Sequence, residues 1–146
     1  MKEEKIVILD RDGVINVDLM TYVTRPEEFE AIDGSLEAIA KLTTNGYKVA
    51  IATNQACIEK EIISEEELST IHDHMIDLLF EFGGQINYIA YCPHAPESMC
   101  KCRKPEVGLL KEIEQELGVS LKGRYFVGDK DSDIAAGRKF GCIPLL

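Results

Sequence analysis

The sequence predicts an α/β fold, a single Rossmann-like three-layer domain with a mostly parallel sheet over residues 1–146. Two observations lead to this class. Short apolar runs alternate with stretches of helical periodicity, which is the pattern of βαβ units. Polar clusters follow three of the predicted strands, at the sheet edge where open α/β proteins bind ligands. No linker, repeat or low-complexity stretch divides the chain, so one domain is expected.

The first half of the chain is predicted to form two strands and two helices. Ile6–Leu9 is a buried strand because every residue in it is apolar. A helix follows over 34–45, and Tyr47–Ala52 is the second strand. Ser64 and Glu67 form a capping box that opens the next helix. Apolar residues of that helix recur at helical spacing: Leu68, Ile71, Met75, Leu78, Leu79 and Phe82.

The second half adds three strands and two helices. Ile86–Tyr91 is the third strand, and 106–117 is a helix that ends before a glycine. Tyr125–Val127 is the fourth strand. A short helix begins near Asp131, and Cys142–Leu145 is a fifth strand.

Composition excludes several classes of partner. The formal net charge is −10, whereas binding to nucleic acid or to an anionic membrane depends on basic surface. The apolar run Ile6–Leu9 is too short for a signal-peptide core or a membrane span. We therefore expect a cytoplasmic protein that binds neither nucleic acid nor membrane.

Three of the five cysteines and one of the three histidines crowd into one segment. In a reducing compartment such crowding indicates metal ligands rather than disulfides. A Cys3His set suits tetrahedral zinc in a structural site, because no coordination position stays open for chemistry. The alternative is four unconnected residues, including ordinary buried cysteines. We predict a zinc loop over 92–102, with these ligands to Zn²⁺: Cys92, His94, Cys100 and Cys102.

Acidic residues follow two of the predicted strands. Asp10 and Asp12 come after the first strand, with Gly13 allowing a sharp turn, and Asp129 and Asp133 come after the fourth. Carboxylates are the protein ligands that magnesium prefers. Aspartate and glycine after a strand are also common in turns, which is the plainer interpretation of one such cluster. Two clusters with cations nearby favour a Mg²⁺ site.

Those cations are Lys104 and Lys130, and Thr53 adds a hydroxyl at a third strand end. Together they could clamp a phosphoryl group and stabilise its transition state by electrostatics and positioning. A lone lysine is more often solvated surface, so the prediction depends on the set.

These segments resemble, in order, the four motifs of the haloacid dehalogenase-like superfamily. The match runs through nearly the whole chain: Asp10-Arg11-Asp12-Gly13-Val14, Thr53-Asn54, Lys104, and Gly128-Asp129 with Asp133. The resemblance implies that Asp10 is the nucleophile of an aspartyl-phosphate mechanism and that Asp12 is the general acid and base. Within the superfamily, an aspartate at the position of Asp12 resembles the motif of phosphatases and phosphotransferases rather than that of dehalogenases.

The same resemblance implies the remaining roles. Mg²⁺ would sit on Asp10, the backbone carbonyl of Asp12, and Asp129. Thr53 and Lys104 would hold the phosphoryl oxygens. Asp133 would orient the site.

Within the superfamily the chain resembles one branch that lacks a large cap domain, and without such a cap we expect this chain to be a monomer. That branch contains the D,D-heptose 1,7-bisphosphate phosphatases of lipopolysaccharide-core and S-layer sugar synthesis and the histidinol-phosphatases. By resemblance to the heptose enzymes, the best single substrate is D-glycero-D-manno-heptose 1,7-bisphosphate, losing its 7-phosphate. The residues expected to contact it are Asp18, Tyr22, Asn54, Gln55, Arg103 and Lys130.

Two alternatives remain open. The gap between His94 and Cys100 is as short as the corresponding gap in histidinol-phosphatases. Histidinol phosphate or a related sugar phosphate is therefore the second candidate substrate. The segment 56–61 reads ACIEKE, where the heptose family usually has Ser-Gly-Ile-Ala-Arg-Gly. That change, with a C-terminus at Leu146 that is either naturally short or shortened, supports a third hypothesis of a zinc-stabilised binding module without catalysis.

Two histidines outside the motifs are not predicted to be metal ligands. His72 and His74 lie two apart on the second predicted helix, so they face different sides and cannot share an ion. Both are predicted to be surface residues.

Overall fold

Five strands of the computed structural model, which describes residues 5–145, form one parallel sheet in the order β3-β2-β1-β4-β5. Residues 1–4 and 146, which the predicted domain includes, lie outside the described residues. The strands are β1 (Ile6–Leu9), β2 (Lys48–Asn54), β3 (Tyr88–Cys92), β4 (Tyr125–Val127) and β5 (Ile143–Leu145). The helices are α1 (Ser35–Thr44), α2 (Glu65–Glu81), α3 (Gly108–Leu117) and α4 (Asp131–Phe140), with 3₁₀ turns at Pro26–Glu28 and Pro96–Ser98.

The three layers follow from the alternation of side chains along the central strands. In β1, Val7 and Leu9 pack with α1 and α2, whereas Ile6 and Ile8 pack with α3 and α4. Because successive side chains of a strand point to opposite faces, a wholly apolar strand is buried on both sides. This confirms the predicted α/β fold class, and every pair of adjacent strands in the described sheet is parallel.

The capping box of α2 is present as predicted. The Ser64 side chain accepts a hydrogen bond from the backbone N–H of Glu67 at 3.1 Å, and the Glu67 carboxylate accepts one from the Ser64 N–H at 3.0 Å. These bonds satisfy two of the donors that a helix start leaves without partners. The cap fixes the start of α2 at Glu65.

The bounds of β2 and β3 differ from the prediction because these two strands stay paired beyond the end of their apolar runs. β2 runs to Asn54 because Thr53 and Asn54 pair with Tyr91 and Cys92 of β3. β3 accordingly begins at Tyr88 and ends at Cys92. Apolar runs alone gave no sign of this polar extension, since a strand end that carries functional side chains does not keep the apolar pattern.

Among the described residues, no helix combines the length and the apolarity that crossing a membrane requires.

Candidate active site and cysteine cluster

The predicted catalytic residues meet in one cleft at the carboxyl edge of the sheet. The cleft has a volume of about 980 Å³. Asp10 follows β1, Thr53 lies near the end of β2, and the first turn of α4 brings Asp133 to the same edge. Segments distant in the sequence are thus gathered by the parallel sheet, as expected for an open α/β fold.

Lys104 lies at the floor of this cleft between two carboxylates. Its Nζ is 3.0 Å from Asp10 Oδ1 and donates hydrogen bonds to Asp133 Oδ1 at 2.5 Å and to the Ala52 carbonyl at 2.9 Å. The Lys104 residue is only 3% exposed. A buried ammonium needs such partners to offset the loss of hydration, so its position beside Asp10 is fixed.

Asp10 is held in an unusual electrostatic state. Burial raises the pKa of Asp10 to about 6, although the charge of Lys104 acts to lower it and that of Asp133 to raise it again. The Arg11 backbone N–H donates to Asp10 Oδ1 at 2.8 Å. The carboxylate therefore lacks full compensation by the protein, which favours an added cation.

Asp12 is held by several donors, in contrast to Asp10. Its Oδ1 accepts hydrogen bonds from Arg11 Nε at 3.2 Å, Arg11 Nη2 at 2.8 Å and Asn16 Nδ2 at 2.9 Å. Its Oδ2 accepts one from Gln55 Nε2 at 3.1 Å. Burial acts to raise the pKa of Asp12, but the Arg11 charge and these hydrogen bonds bring it below its ordinary value.

Three members of this network were missed from the sequence. Arg11 and Asn16 are completely buried, and the motif resemblance gave neither a role. His72 was predicted to lie on the surface, and that prediction is wrong: it is 6% exposed and its Nε2 is 3.1 Å from Arg11 Nη1. A signal existed, because His72 lies one residue after Ile71 and three before Met75, on the apolar side of α2.

A second carboxylate, Asp129, approaches Asp10 from the loop after β4. One oxygen each of Asp10, Asp129 and Asp133 lies within 4.8 Å of the others. Gly13 makes this approach possible, since it has a positive φ of 86° and an added Cβ would lie 2.0 Å from Asp129 Oδ2. The donor set is entirely oxygen, as Mg²⁺ requires.

Asp133 is engaged on both of its oxygens. Oδ1 accepts from Lys104, and Oδ2 accepts from the backbone N–H groups of Asp129 and Lys130, each at 3.1 Å. These contacts pin the start of α4 to the cleft. The arrangement favours the predicted orienting role of Asp133 over direct metal ligation.

Thr53, Asn54 and Gln55 form the wall contributed by β2. Thr53 is 1% exposed, and its Oγ1 accepts a hydrogen bond from Gln55 Nε2 at 3.0 Å. Asn54 accepts from the Lys104 N–H at 3.0 Å and donates to the Lys104 carbonyl at 3.2 Å. Asn54 thus fixes the backbone of the lysine across the cleft.

Gln55 was predicted to contact substrate, but the structure places its side chain behind Asp12. The residue is 1% exposed, and its amide nitrogen is used by Asp12 and Thr53. In this structure Gln55 positions these two groups, and its contact with substrate stays a prediction.

The other predicted substrate residues line the cleft mouth. Lys130 Nζ is 3.5 Å from Asp18 Oδ2. Lys60, which was not predicted, donates to the Tyr22 hydroxyl at 2.9 Å. Arg103 Nη1 donates to the His94 carbonyl at 3.1 Å, so the residue before Lys104 is held by the cysteine-rich loop.

The predicted zinc ligands come together at one point. The Sγ atoms of Cys92 and Cys100 are 3.6 Å apart, as are those of Cys102 and Cys100, and His94 Nδ1 is 3.5 Å from Cys92 Sγ. Ligands at the corners of a tetrahedron with metal–sulfur bonds of about 2.3 Å are separated by about 3.8 Å. The Cys92–Cys102 pair is closer, at 2.8 Å. The four residues could together hold one metal ion, and their Cys3His chemistry suits Zn²⁺ once the Cys92–Cys102 pair opens to the tetrahedral separation.

The protein by itself favours the thiolate form at only one of the three clustered cysteines. Although burial acts to raise it, hydrogen bonds from the Arg103 N–H and the neighbouring thiols lower the pKa of Cys100 to about 6. Burial raises the pKa values of Cys92 and Cys102 above the ordinary range. A metal ion would supply the positive charge that three adjacent thiolates lack.

Glu59 ties the altered segment 56–61 to the cysteine-rich loop. Its carboxylate accepts hydrogen bonds from the Ala95 N–H at 2.6 Å and from the Ser98 hydroxyl. The backbone N–H of Glu59 also donates to the Pro93 carbonyl at 3.0 Å. The acid that departs from the expected family pattern therefore has a structural role here.

Comparison with known proteins identifies relatives over most of the chain. Residues 5–142 match the family model described as polynucleotide kinase 3 phosphatase. The chain is 43% identical over 141 residues to the D-glycero-beta-D-manno-heptose-1,7-bisphosphate 7-phosphatase of Pseudomonas aeruginosa, covering 97% of this chain and 79% of that relative. The protein with the same name in Helicobacter pylori is 36% identical over 138 residues, which is 94% of this chain and 79% of the relative.

Two solved structures are similar in fold and sequence. The D,D-heptose 1,7-bisphosphate phosphatase of B. bronchiseptica, crystallised with magnesium and phosphate, superposes with a TM-score of 0.93 at 41% identity, over 96% of this chain and 78% of that one. The corresponding phosphatase from Burkholderia thailandensis gives a TM-score of 0.70 at 33% identity, over 95% and 75%.

Proposed function

This chain belongs to the haloacid dehalogenase-like phosphatases, in the family described as polynucleotide kinase 3 phosphatase, and we propose that it removes the 7-phosphate of D-glycero-D-manno-heptose 1,7-bisphosphate. The enzyme class is phosphoric monoester hydrolase. A net charge of −10 opposes a polynucleotide substrate. The observation that carries the proposal is that Asp10, Asp12 and Lys104 line one cleft. The chain that forms this cleft is similar to heptose phosphatases along nearly its whole length.

In the first step, Asp10 attacks phosphorus in line with the leaving oxygen. An oxygen–phosphorus bond forms to the Asp10 carboxylate as the phosphorus–alkoxide bond breaks. Lys104, held by Asp133 and Ala52, neutralises charge on the phosphoryl oxygens, and the Thr53 hydroxyl completes their binding. Asp12 gives its proton to the departing alkoxide, so the sugar leaves as a neutral alcohol.

In the second step, Asp12 acts as a base. It takes a proton from water as the water oxygen attacks phosphorus, and the bond to Asp10 breaks to restore the free carboxylate and release phosphate. The Arg11 charge and the hydrogen bonds, acting against burial, hold the pKa of Asp12 below its ordinary value. The ionised form that acts as the base here is therefore favoured, and the acid of the first step is the minor, protonated form.

Mg²⁺ would be held by Asp10, the Asp12 carbonyl and Asp129, and it would supply charge neutralisation of the phosphoryl group. Its binding is supported by the oxygen-only cluster and by the raised pKa of Asp10, which burial causes. Zn²⁺ on the cysteine cluster would be structural and would hold Arg103 and Lys104 at the cleft.

A bisphosphate substrate is supported by cations in two zones of the cleft. Lys104 lies deep beside Asp10, whereas Lys60, Arg103 and Lys130 also line the cleft, closer to solvent. Arginine and lysine at the mouth can hold a second phosphate or sugar hydroxyls against the negative field of the whole chain. Asp18 and Tyr22, which pair with Lys130 and Lys60, would then exchange these partners for substrate.

We also propose that the enzyme is a cytoplasmic monomer, in keeping with its cysteine-based metal site and the expected lack of a large cap. Sedimentation of the zinc-loaded protein at one chain mass would support this, and a stable dimer would contradict it.

The test is phosphate release, with magnesium, from the heptose 1,7-bisphosphate and from L-histidinol phosphate side by side. Asp10→Asn, which keeps the size of the side chain and removes the nucleophilic charge, is the blank. Preference for the bisphosphate supports the proposal, and preference for histidinol phosphate would replace the substrate. No magnesium-dependent turnover of any phosphate ester by the folded, zinc-loaded protein would support the non-catalytic binding module instead.

A further inference from the structure

We infer that His72 on α2 is a positioning residue which, through Arg11, assigns the two oxygens of Asp12 different tasks: Oδ1 stays a hydrogen-bond acceptor and Oδ2 carries the catalytic proton. The inference rests on the proposed phosphatase reaction and deepens it. Neither the motif resemblance nor the names of the relatives assign His72 or Arg11 a role.

The first step of the argument is the distribution of donors around Asp12. Oδ1 accepts from two nitrogens of Arg11 and from Asn16, at 2.8 to 3.2 Å. A carboxylate oxygen with three donors around it has no lone-pair direction left for a proton. Oδ2 accepts only from Gln55 among the described residues, so it is the oxygen that can exchange a proton with substrate or water.

The second step is the cost of holding Arg11. Its side chain is completely buried, and a guanidinium that remains charged inside a protein needs partners for its N–H groups. Asp12 takes Nε and Nη2, which leaves Nη1 facing α2. His72 Nε2, at 3.1 Å from Nη1, occupies that position.

The third step is the state of His72. Arginine can only donate, so His72 Nε2 must accept, and the ring must be neutral with its proton on Nδ1. Burial, with the nearby Arg11 charge, lowers the pKa of His72 to about 3, which keeps the acceptor available at neutral pH. The packed face of α2 therefore sets the rotation of the guanidinium, and the guanidinium sets the carboxylate.

The proton balance follows from this geometry. As the phosphorus–alkoxide bond breaks, the bond electrons stay on the alkoxide oxygen, which takes the proton from Asp12 Oδ2. Oδ2 recovers a proton from the attacking water in the second step. Oδ1 keeps its three donors throughout.

The test compares two substrates that differ in how much they need an acid. The heptose bisphosphate has a poor alkoxide leaving group, whereas p-nitrophenyl phosphate leaves without protonation. For His72→Leu we expect kcat/KM on the bisphosphate to fall about 100-fold, the scale of general acid catalysis, and to fall no more than about fivefold on p-nitrophenyl phosphate. KM for the bisphosphate should change little, so the loss is in kcat.

The matched variants decide between positioning and general damage. His72→Gln keeps an acceptor for Arg11 and should recover most of the bisphosphate activity. His74→Leu, on the same helix, removes a ring that packs edge-on against Phe29 at 6.3 Å and should leave the ratio of the two substrates as in the wild type. If His72→Leu does not fold, Arg11→Lys is compared in the same way.

Equal losses on both substrates, or His72→Gln as impaired on the bisphosphate as His72→Leu, would overturn the inference while the phosphatase assignment stands. No turnover of either substrate by the wild-type protein would overturn both.

Discussion

Replacing Lys104 with methionine should destabilise the fold strongly, and more at high pH than at low pH. The substitution keeps the volume of the side chain but removes the ammonium that Asp10 and Asp133 share at 3.0 and 2.5 Å. Removing one partner of a buried ion pair costs about 3–5 kcal/mol, because the remaining charge is left buried without compensation. We expect a loss in that range at pH 8.

The pKa of Asp10 determines how the destabilisation by Lys104→Met changes with pH. Burial already raises the pKa of Asp10 to about 6, against the opposing charge of Lys104, and removing the lysine raises it further. The ionised, buried carboxylate therefore destabilises the fold in full above its folded-state pKa. The destabilisation shrinks as the pH falls toward the ordinary aspartate pKa of the unfolded chain.

Urea unfolding of the zinc-loaded, magnesium-free protein at pH 8 and pH 5 measures this. The account predicts that the destabilisation of Lys104→Met is smaller at pH 5. Lys130→Met is the control, since its side chain is 58% exposed and pairs with Asp18 only at 3.5 Å; it should change stability by less than about 1 kcal/mol. An equal loss for Lys104→Met at both pH values would refute the reasoning.

Three further predictions follow from the metal sites. Removing zinc with a chelator, or substituting Cys100→Ser, should lower the melting temperature by several degrees, because the loop has little apolar content; an unchanged melt would contradict a structural zinc. The apparent Mg²⁺ affinity, measured by titration calorimetry, should weaken as the pH falls through about 6, where a proton competes for Asp10, whose pKa burial raises; constant affinity from pH 8 to 5 would contradict Asp10 as a ligand. Gly13→Ala should abolish Mg²⁺ binding with the fold retained, because the new Cβ would occupy the position of Asp129; normal binding in the same titration would show that Asp129 is not needed.

Much of the fold was accessible from the sequence because the local signals agree with it. β1 and β4 have the predicted bounds, and the capping box at Ser64 is present. The family resemblance is confirmed along residues 5–142. The strand end at Asn54 was not predictable in this way, since pairing with β3 rather than apolar content keeps Thr53 and Asn54 in the sheet.

The candidate site was predicted unevenly, for a physical reason. Residues that carry the chemistry follow strands and form motifs, so Asp10, Asp12 and Lys104 could be named. The groups that position them are identified by burial and by distant partners: His72 lies 61 residues from Arg11 in the chain. Charge and polarity in the sequence suggested surface for His72, whereas the tertiary structure gives it a buried guanidinium to bind. The roles of the site residues remain predictions.

The central claim is that Asp10 becomes phosphorylated during turnover. Wild-type enzyme is mixed with the heptose bisphosphate and magnesium, quenched in acid within milliseconds, and treated with borohydride, which reduces an aspartyl-phosphate to homoserine. Peptide mass spectrometry then locates the change. The account predicts homoserine at position 10 only, and none in Asp10→Asn; steady phosphate release without reduction at position 10, or with reduction at another aspartate, would contradict it.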